Sequence, residues 1–222
     1  EFLNEIAEGD TFTLSFWQNL SAITAMTAFK AYSPSSSGSE RGFSTHSPWS
    51  NSQIYFDSAG CCDAATQRIN APIQQHIDNG NPDFAFVDQW HHFAFIKDGD
   101  QKSIWIDGQL FLEGENTDDL PTDFYALSIG SANGGGESIQ GRMDDVALFA
   151  TALTEEQLGD LADGSISPAD FITDEDDDGL SDAWEEKFAV DDPDADADGD
   201  NLSNMEEYNR GLNPNEADTD GD

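Results

Sequence analysis

Cysteine is nearly missing from this chain. There are two in 222 residues, and they are neighbours, Cys61-Cys62. Ordinary structural disulfides need Cα atoms further apart than adjacent residues usually allow. The pair is therefore a vicinal disulfide, two thiols, or a link to another chain. Basic residues are almost as scarce, with 8 Lys and Arg against 46 Asp and Glu and a net charge of −38. Nucleic acid and anionic membrane surfaces are held by cationic side chains that neutralise phosphate, so this balance excludes both as partners. No apolar run approaches the length of a membrane span, so direct membrane insertion is excluded as well. No secretory leader is visible, but the last motif breaks off at Asp222. The chain reads as part of a longer polypeptide, in which a missing leader says nothing about export. So much acid points to bound cations, a salty or extracellular setting, or simple solubility.

What is present centres on Trp90 to Gly114, WHHFAFIKDGDQKSIWIDGQLFLEG. Phe93 and Phe95 alternate with Ala94 and Ile96, and Ile104 and Ile106 with Trp105, as pleated strands require. Asp98-Gly99 and Asp107-Gly108 supply hairpin turns, because glycine enters the positive-φ region cheaply. Three strands joined by two tight turns cannot stand alone; they need a second sheet over their apolar face. Thr11–Asn19 alternates in the same way, with Phe12, Leu14 and Phe16 on one face. Further strands are expected at 25–30, at Ile54–Asp57 and at 120–131. Tyr32–Gly42 reads as a polar loop, 59–80 as a stretch of weak periodicity, and 133–136 (Asn-Gly-Gly-Gly) as a hairpin tip. Thr154 followed by Glu155, Glu156 and Gln157 is a capping box that starts a helix. The expected fold is mainly β, an antiparallel jelly-roll sandwich with a small C-terminal region of calcium loops and short helices.

The motif W-H-H-F-A-F-x-K-D-G with I-x-I-D-G-Q-L resembles the laminin-G-like (concanavalin A-like) jelly-roll domains of extracellular proteins. So do the segments 129–131 and 141–149 and the Ala152-Leu153-Thr154-Glu155-Glu156 run after them. The similarity extends from about Phe12 to Leu161 and places that domain at 1–164, with a linker at 165–173.

From Asp174 the sequence repeats every 22 residues, with starts at Asp174, Asp196 and Asp218. Residues 174–222 carry 20 acids and two bases, and the remainder carries 26 and six. A calcium ion takes hard oxygens from loop positions 1, 3, 5, 7, 9 and 12. The first unit offers Asp174, Asp176, Asp178, the Leu180 carbonyl, Asp182 and Glu185. The second offers Asp196, Asp198, Asp200, the Leu202 carbonyl, Asn204 and Glu207. Asp218, Asp220 and Asp222 begin a third. Position six is Gly179 in one unit and Asn201 in the other, and Asn tolerates positive φ better than most residues. One helical pattern comes after each loop, at 181–188 and 203–210. The segment 174–222 thus resembles the calcium-binding thrombospondin type 3 repeats of bacterial surface proteins, and less closely a dockerin. Composition alone would favour a disordered acidic tail; the strict ligand spacing argues for Ca2+.

Catalytic patterns are missing. His91 and His92 are adjacent in a strand and point to opposite faces, so they cannot share an ion. The paired-acid motif of jelly-roll glucanases is not found, and Asp144-Asp145 read as structural or as a loop cation site. The chain is therefore expected not to be an enzyme. A sugar site instead combines an aromatic plate with polar groups for the hydroxyls. Trp49, Asn51, Tyr55, Asp57, Cys61, Cys62, Asp63 and Arg68 are the candidate ligand-binding residues; the bland alternative packs Trp49 and Tyr55 in the core and has the polar residues cap turns. The expected role is an extracellular or cell-surface module that recognises glycans for adhesion or enzyme targeting. The alternative is a module that binds another surface protein or acts as a structural spacer.

Overall fold

The computed structural model describes residues 2–132 and 136–218. The chain forms two compact units, Glu1–Ile166 and Ser167–Asp222. The first contains strands β1 (Thr11–Leu20), β2 (Phe29–Tyr32), β3 (Arg41–His46), β4 (Gln53–Ser58) and β5 (Arg68–Pro72). It continues with β6 (Trp90–Asp98), β7 (Gln101–Ile106), β8 (Gln109–Glu115), β9 (Ala126–Ile129) and β10 (Gly141–Phe149). They make two five-stranded antiparallel sheets, ordered β10-β1-β6-β7-β8 and β5-β4-β3-β2-β9.

The expected alternation builds the core. Phe12, Leu14, Phe16, Phe93, Phe95, Ile104 and Ile106 from one sheet meet Phe29, Phe43, Ile54, Phe56 and Ile69 from the other. Rings interlock across the gap: Phe12 lies 4.8 Å from Phe43, Phe16 4.9 Å from Phe29, and Phe56 5.5 Å from Phe95. Burying each such ring is worth about 2–3 kcal/mol. Both faces of β6 are buried, because the helix Glu155–Asp163 packs over its outer side. That helix starts as its sequence demands: Thr154 Oγ1 accepts from the Gln157 N–H, and Gln157 Oε1 accepts from the Thr154 N–H. At the β7–β8 turn Asp107 and Gly108 both have positive φ, 50° and 73°. The β6–β7 turn lies one residue later than expected, on Gly99-Asp100 between the paired Asp98 and Gln101.

Other departures are local. The helix Phe2–Gly9, which buries Ile6 and Ala7, carries too short an apolar face to read. The stretch 59–80 contains β5 and the helix Gln74–Asp78; only Ile69 and Ala71 mark the strand's inner face. Between 120 and 131 only Ala126–Ile129 is strand, and after Leu20 the chain stays irregular until Phe29. The hairpin tip expected at 133–136 lies, apart from Gly136, outside the described residues.

Two lysines are buried at the seams. Lys97 reaches Asp10 Oδ2 and the Gly99 carbonyl, each at 2.6 Å. Lys102 leaves β7 and donates into the opposite sheet, to the carbonyls of Phe56 (2.8 Å) and Gln67 (3.0 Å) and to Ser58 Oγ (3.2 Å), as well as to Asn116 Oδ1 (2.9 Å). Burial holds its pKa well below that of a free lysine, and Asp57 opposes that shift. Four oxygens around one nitrogen favour the ammonium form.

The second unit carries a 3-10 turn, Pro168–Phe171, and two helices, Asp182–Phe188 and Asn204–Arg210. The two repeats superpose in their bonding at a step of 22. The Asp182 N–H donates to Thr173 O as the Asn204 N–H does to Ala195 O. Ala189 and Gly211 end the helices in the same left-handed conformation. Trp184 packs on Phe188 at 5.1 Å and on Tyr208 at 5.3 Å, and Leu180 is fully buried.

Candidate functional site

The outer face of the β5-β4-β3-β2-β9 sheet carries what the core leaves out. With Phe29, Phe43, Phe56 and Ile69 turned inward, Lys30, Ser44, Asp57 and Arg68 point outward. They form one cross-strand row, because Lys30 pairs with Ser44, Ser44 with Asp57 and Asp57 with Arg68. His46 and Tyr55 form the next row. Above these rows lies a cleft of about 250 Å³ whose lining includes Trp49, Asn51, Tyr55, Arg41, Arg68 and the cysteine pair.

Cys61 and Cys62 are joined to each other as a vicinal disulfide. The loop Ser37–Glu40 lies against it, and a Cβ at Gly38, where φ is 67°, would collide with Cys61. Two guanidinium groups meet beneath it. Arg41 Nη1 sits 2.5 Å from Asp57 Oδ2, while Arg68 Nε and Nη2 hold Oδ1 and Oδ2 at 2.5 and 2.7 Å. Both arginines also donate to Cys61 Sγ, at 3.2 and 3.4 Å. The hydrogen bonds to Asp57 raise the pKa of Arg68 against the opposing effect of burial. The Arg68 guanidinium stacks 4.6 Å from the Tyr55 ring, whose Oη accepts from Asn51 Nδ2 at 2.7 Å. Trp49 is half-buried, with its ring 4.7 Å from His46. Burial pulls the His46 pKa down, so the imidazole that backs the cleft is neutral at pH 7.

Trp49, Tyr55, Cys61, Cys62 and Arg68 therefore share one cleft, and neither Trp49 nor Tyr55 belongs to the core cluster. Two expected ligand residues are placed elsewhere. Asp57 is fully buried and clamps the two arginines from below, since a carboxylate under two guanidiniums has no free face. Asp63 is an exposed turn former; its Oδ1 accepts from the Ala65 N–H and its carbonyl from Gln67 and Arg68. Asn51 lines the cleft too, with Arg41, His46 and Glu137, which were not anticipated. For His46 the signal was available, since it lies on the face of β3 opposite Phe43; Arg41 shares the parity of Phe43 and reaches the cleft only through the irregular step of β3 opposite Ala31 and Tyr32.

His91 and His92 diverge as strand geometry requires. His91 bonds Asp107 Oδ2 and the Ala85 carbonyl, and His92 Nε2 bonds Ser15 Oγ at 2.8 Å. Asp145, with φ 45°, lies at an irregular step of β10, and Asp144 Oδ1 accepts its N–H.

The acidic loops form a second cluster. Carboxylate oxygens of Asp174, Asp176 and Asp178 lie within 4.8 Å of one another, as do those of Asp196, Asp198 and Asp200. Oxygens sharing one calcium ion are separated by at most about 5 Å. Asp174 accepts from the Asp178 and Gly179 N–H groups, and Asp196 from those of Asp200 and Asn201, which curls both loops alike. Gly179 and Asn201 both take positive φ, 95° and 76°. In the second loop Asp198 Oδ2, Asn204 Oδ1 and Glu207 Oε2 are buried without a hydrogen-bond partner. Three orphaned acceptors beside a carboxylate triad fit a hard cation. Desolvation, then the loop aspartates, raises the pKa of Glu185 and of Glu207. Asp182 differs in that its Oδ1 accepts from the Glu175 N–H, tying the loop entrance. Asp218 is the last described residue; Asp220 and Asp222 lie outside the described residues.

Among the described residues no helix is long and apolar enough to cross a membrane. No curated protein sequence matches the chain. Of solved structures, a heptameric SAP-like pentraxin from Limulus polyphemus is similar, with a TM-score of 0.50 and 16% identity over 69% of this chain and 70% of that one. Domain 4 of AbnA, an extracellular arabinanase from Geobacillus stearothermophilus solved with arabinotriose, gives 0.45 and 19% over 69% and 66%. A candidate carbohydrate binding protein from Bacteroides ovatus gives 0.46 and 15% over 68% of this chain, which spans only 40% of that protein. The Laminin_G_3 family model matches residues 3–159, and the chain belongs to the concanavalin A-like lectin/glucanases superfamily.

Proposed function

We propose that the chain is a non-catalytic, extracellular or cell-surface binding module that recognises carbohydrate through the cleft on β3, β4 and β5. The observation that carries this reading is the partly exposed Trp49 indole beside the disulfide, over a floor of fixed polar groups. An indole face takes the C–H face of a pyranose, and Asn51, Arg41, Arg68 and Glu137 offer donors and acceptors to its hydroxyls. Asp57 positions the arginines and does not itself reach the ligand. The vicinal disulfide adds an apolar, conformationally fixed wall.

In this reading the jelly-roll domain spans 1–164, and residues 165–173 link it to calcium-binding repeats of the thrombospondin type 3 kind at 174–222. Asp174, Asp176, Asp178 and Glu185 would hold one ion, and Asp196, Asp198, Asp200, Asn204 and Glu207 another, with carbonyl oxygens of Leu180 and Leu202 completing the sets. Bound calcium supplies the positive charge that lets these carboxylates pack together. Such repeats suit a surface protein whose binding module is used for adhesion or for targeting an attached enzyme.

A glycan array probed with the whole chain, with and without calcium, tests the function. Saturable binding that Trp49→Ala abolishes is the expected result, and Cys61→Ser should weaken it. A blank array across plant, algal and host glycans would favour the spacer or protein-binding alternative.

A further inference from the structure

The geometry points to a pyranose bearing an oxyanion, a uronate carboxylate or a sulfate ester, as the ligand of this cleft; the inference rests on the carbohydrate reading above. It begins from scarcity. The whole chain has 8 bases, yet Lys30, Arg41 and Arg68 converge on one face of one sheet. Lys30 and Arg41 are close enough that, after burial, their repulsion lowers the Lys30 pKa. Lys30 and Arg41 also line the adjoining recess together.

The nearby carboxylates match them in number but are already engaged with groups of the protein. Asp57 is buried and serves as the single counter-ion of two guanidiniums, each still 17–18% exposed. Glu137 stands on the wall, with one oxygen accepting from Thr27 Oγ1 at 2.8 Å. Glu40, by the recess, accepts from Tyr125 Oη at 2.7 Å. The balance around the cleft is neutral in a molecule that is elsewhere dense with negative charge.

Beneath the floor lie two polar groups without partners. Arg41 Nε and Ser44 Oγ are buried and have no hydrogen-bond partner. Ser44 stands in the row between Lys30 and Asp57. Unpaired donors beside guanidinium groups favour a ligand rich in acceptors, and planar oxyanions match the guanidinium fork best. The remaining acids do not forbid such a ligand, because at physiological ionic strength their field is screened within about 8 Å.

The test is isothermal titration of the calcium-loaded chain, freed of excess ion, at physiological salt. The probes are a neutral galacto-oligosaccharide, a galacturonate oligomer and a sulfated galacto-oligosaccharide of matched length. At least one charged probe is expected to bind about tenfold tighter than the neutral one, and the two charged arms tell carboxylate from sulfate. Lys30→Gln, which leaves both arginines on Asp57, should weaken the charged probe about threefold and leave the neutral one unchanged. Equal or tighter binding of the neutral probe overturns the oxyanion and leaves the sugar cleft standing. No binding of any probe, or binding that Trp49→Ala does not alter, overturns the carbohydrate reading and this inference with it.

Discussion

The two units of this chain solve the same problem, an excess of acid, in opposite ways. In the sandwich the acids are kept outside a core of interlocked phenylalanines, and the one fully buried carboxylate, Asp57, is neutralised by two arginines. In the repeats almost nothing apolar is buried. Among the described residues of that unit, Leu180 and Pro214 are buried, and the other buried side chains, Asn204 and Glu207, are polar. On the proposed reading, a unit whose interior is carboxylates and unpartnered oxygens takes its counter-charge from solution. The sandwich depends on area removed from water; the repeats, if they hold calcium as proposed, depend on an ion.

The sharpest way to break this comparison is to take the ion away. Chelation should unfold residues 174–222 completely while the sandwich keeps its amide protection, which hydrogen exchange and limited proteolysis read separately. Unchanged helix content and an intact tail would mean the acidic loops hold together unaided. The reverse experiment is Phe16→Ala, at the centre of the cluster with Phe29, Phe93 and Phe95. It should cost the sandwich about 3–5 kcal/mol in denaturant unfolding and leave the calcium-dependent transition where it was.

Acid provides a smaller probe of the sandwich alone. His92 is buried with Nδ1 unpartnered, and burial lowers its pKa to about 4, opposed by Asp107. The neutral ring is the form that folds. Above the unfolded value of 6.5 the group has no effect on stability; as pH falls toward 4 the unfolded chain takes up the proton and the folded one does not. The loss should reach roughly 3 kcal/mol and then level off. His92→Asn should flatten that part of the pH profile relative to the parent, and an identical profile would remove His92 as the cause. The smallest effect concerns loop geometry. Asn201→Gly relieves a non-glycine residue at φ 76° and should stabilise the calcium-loaded repeats by under about 1 kcal/mol, seen as a slightly lower calcium midpoint.

The sandwich was legible because its signals are local and redundant: alternating aromatics in β1 and β6, Asp-Gly corners, and the capping box at Thr154. The 22-residue repeat of the acidic loops was legible too, since equivalent residues recur at a fixed step along the chain and make the same bonds. The cleft was half legible. Composition placed Trp49, Tyr55, Cys61, Cys62 and Arg68 near each other, but Asp57 and Asp63 look alike in sequence. Only the cross-strand pairing with Arg68, and the approach of Arg41 from β3, turns Asp57 into a buried counter-ion. Glu137 comes from a segment about 70 residues further along, and no local pattern announces such an encounter.

The Lys102 ammonium has a further consequence. It stitches β7 to the carbonyls of the facing sheet with a cation that is tethered to the backbone. A tethered cation cannot be leached by dilution or competed away by other metals. The sheet that carries the cleft should therefore stay in register in brackish or ion-poor surroundings, with no dissolved ion needed to hold it there.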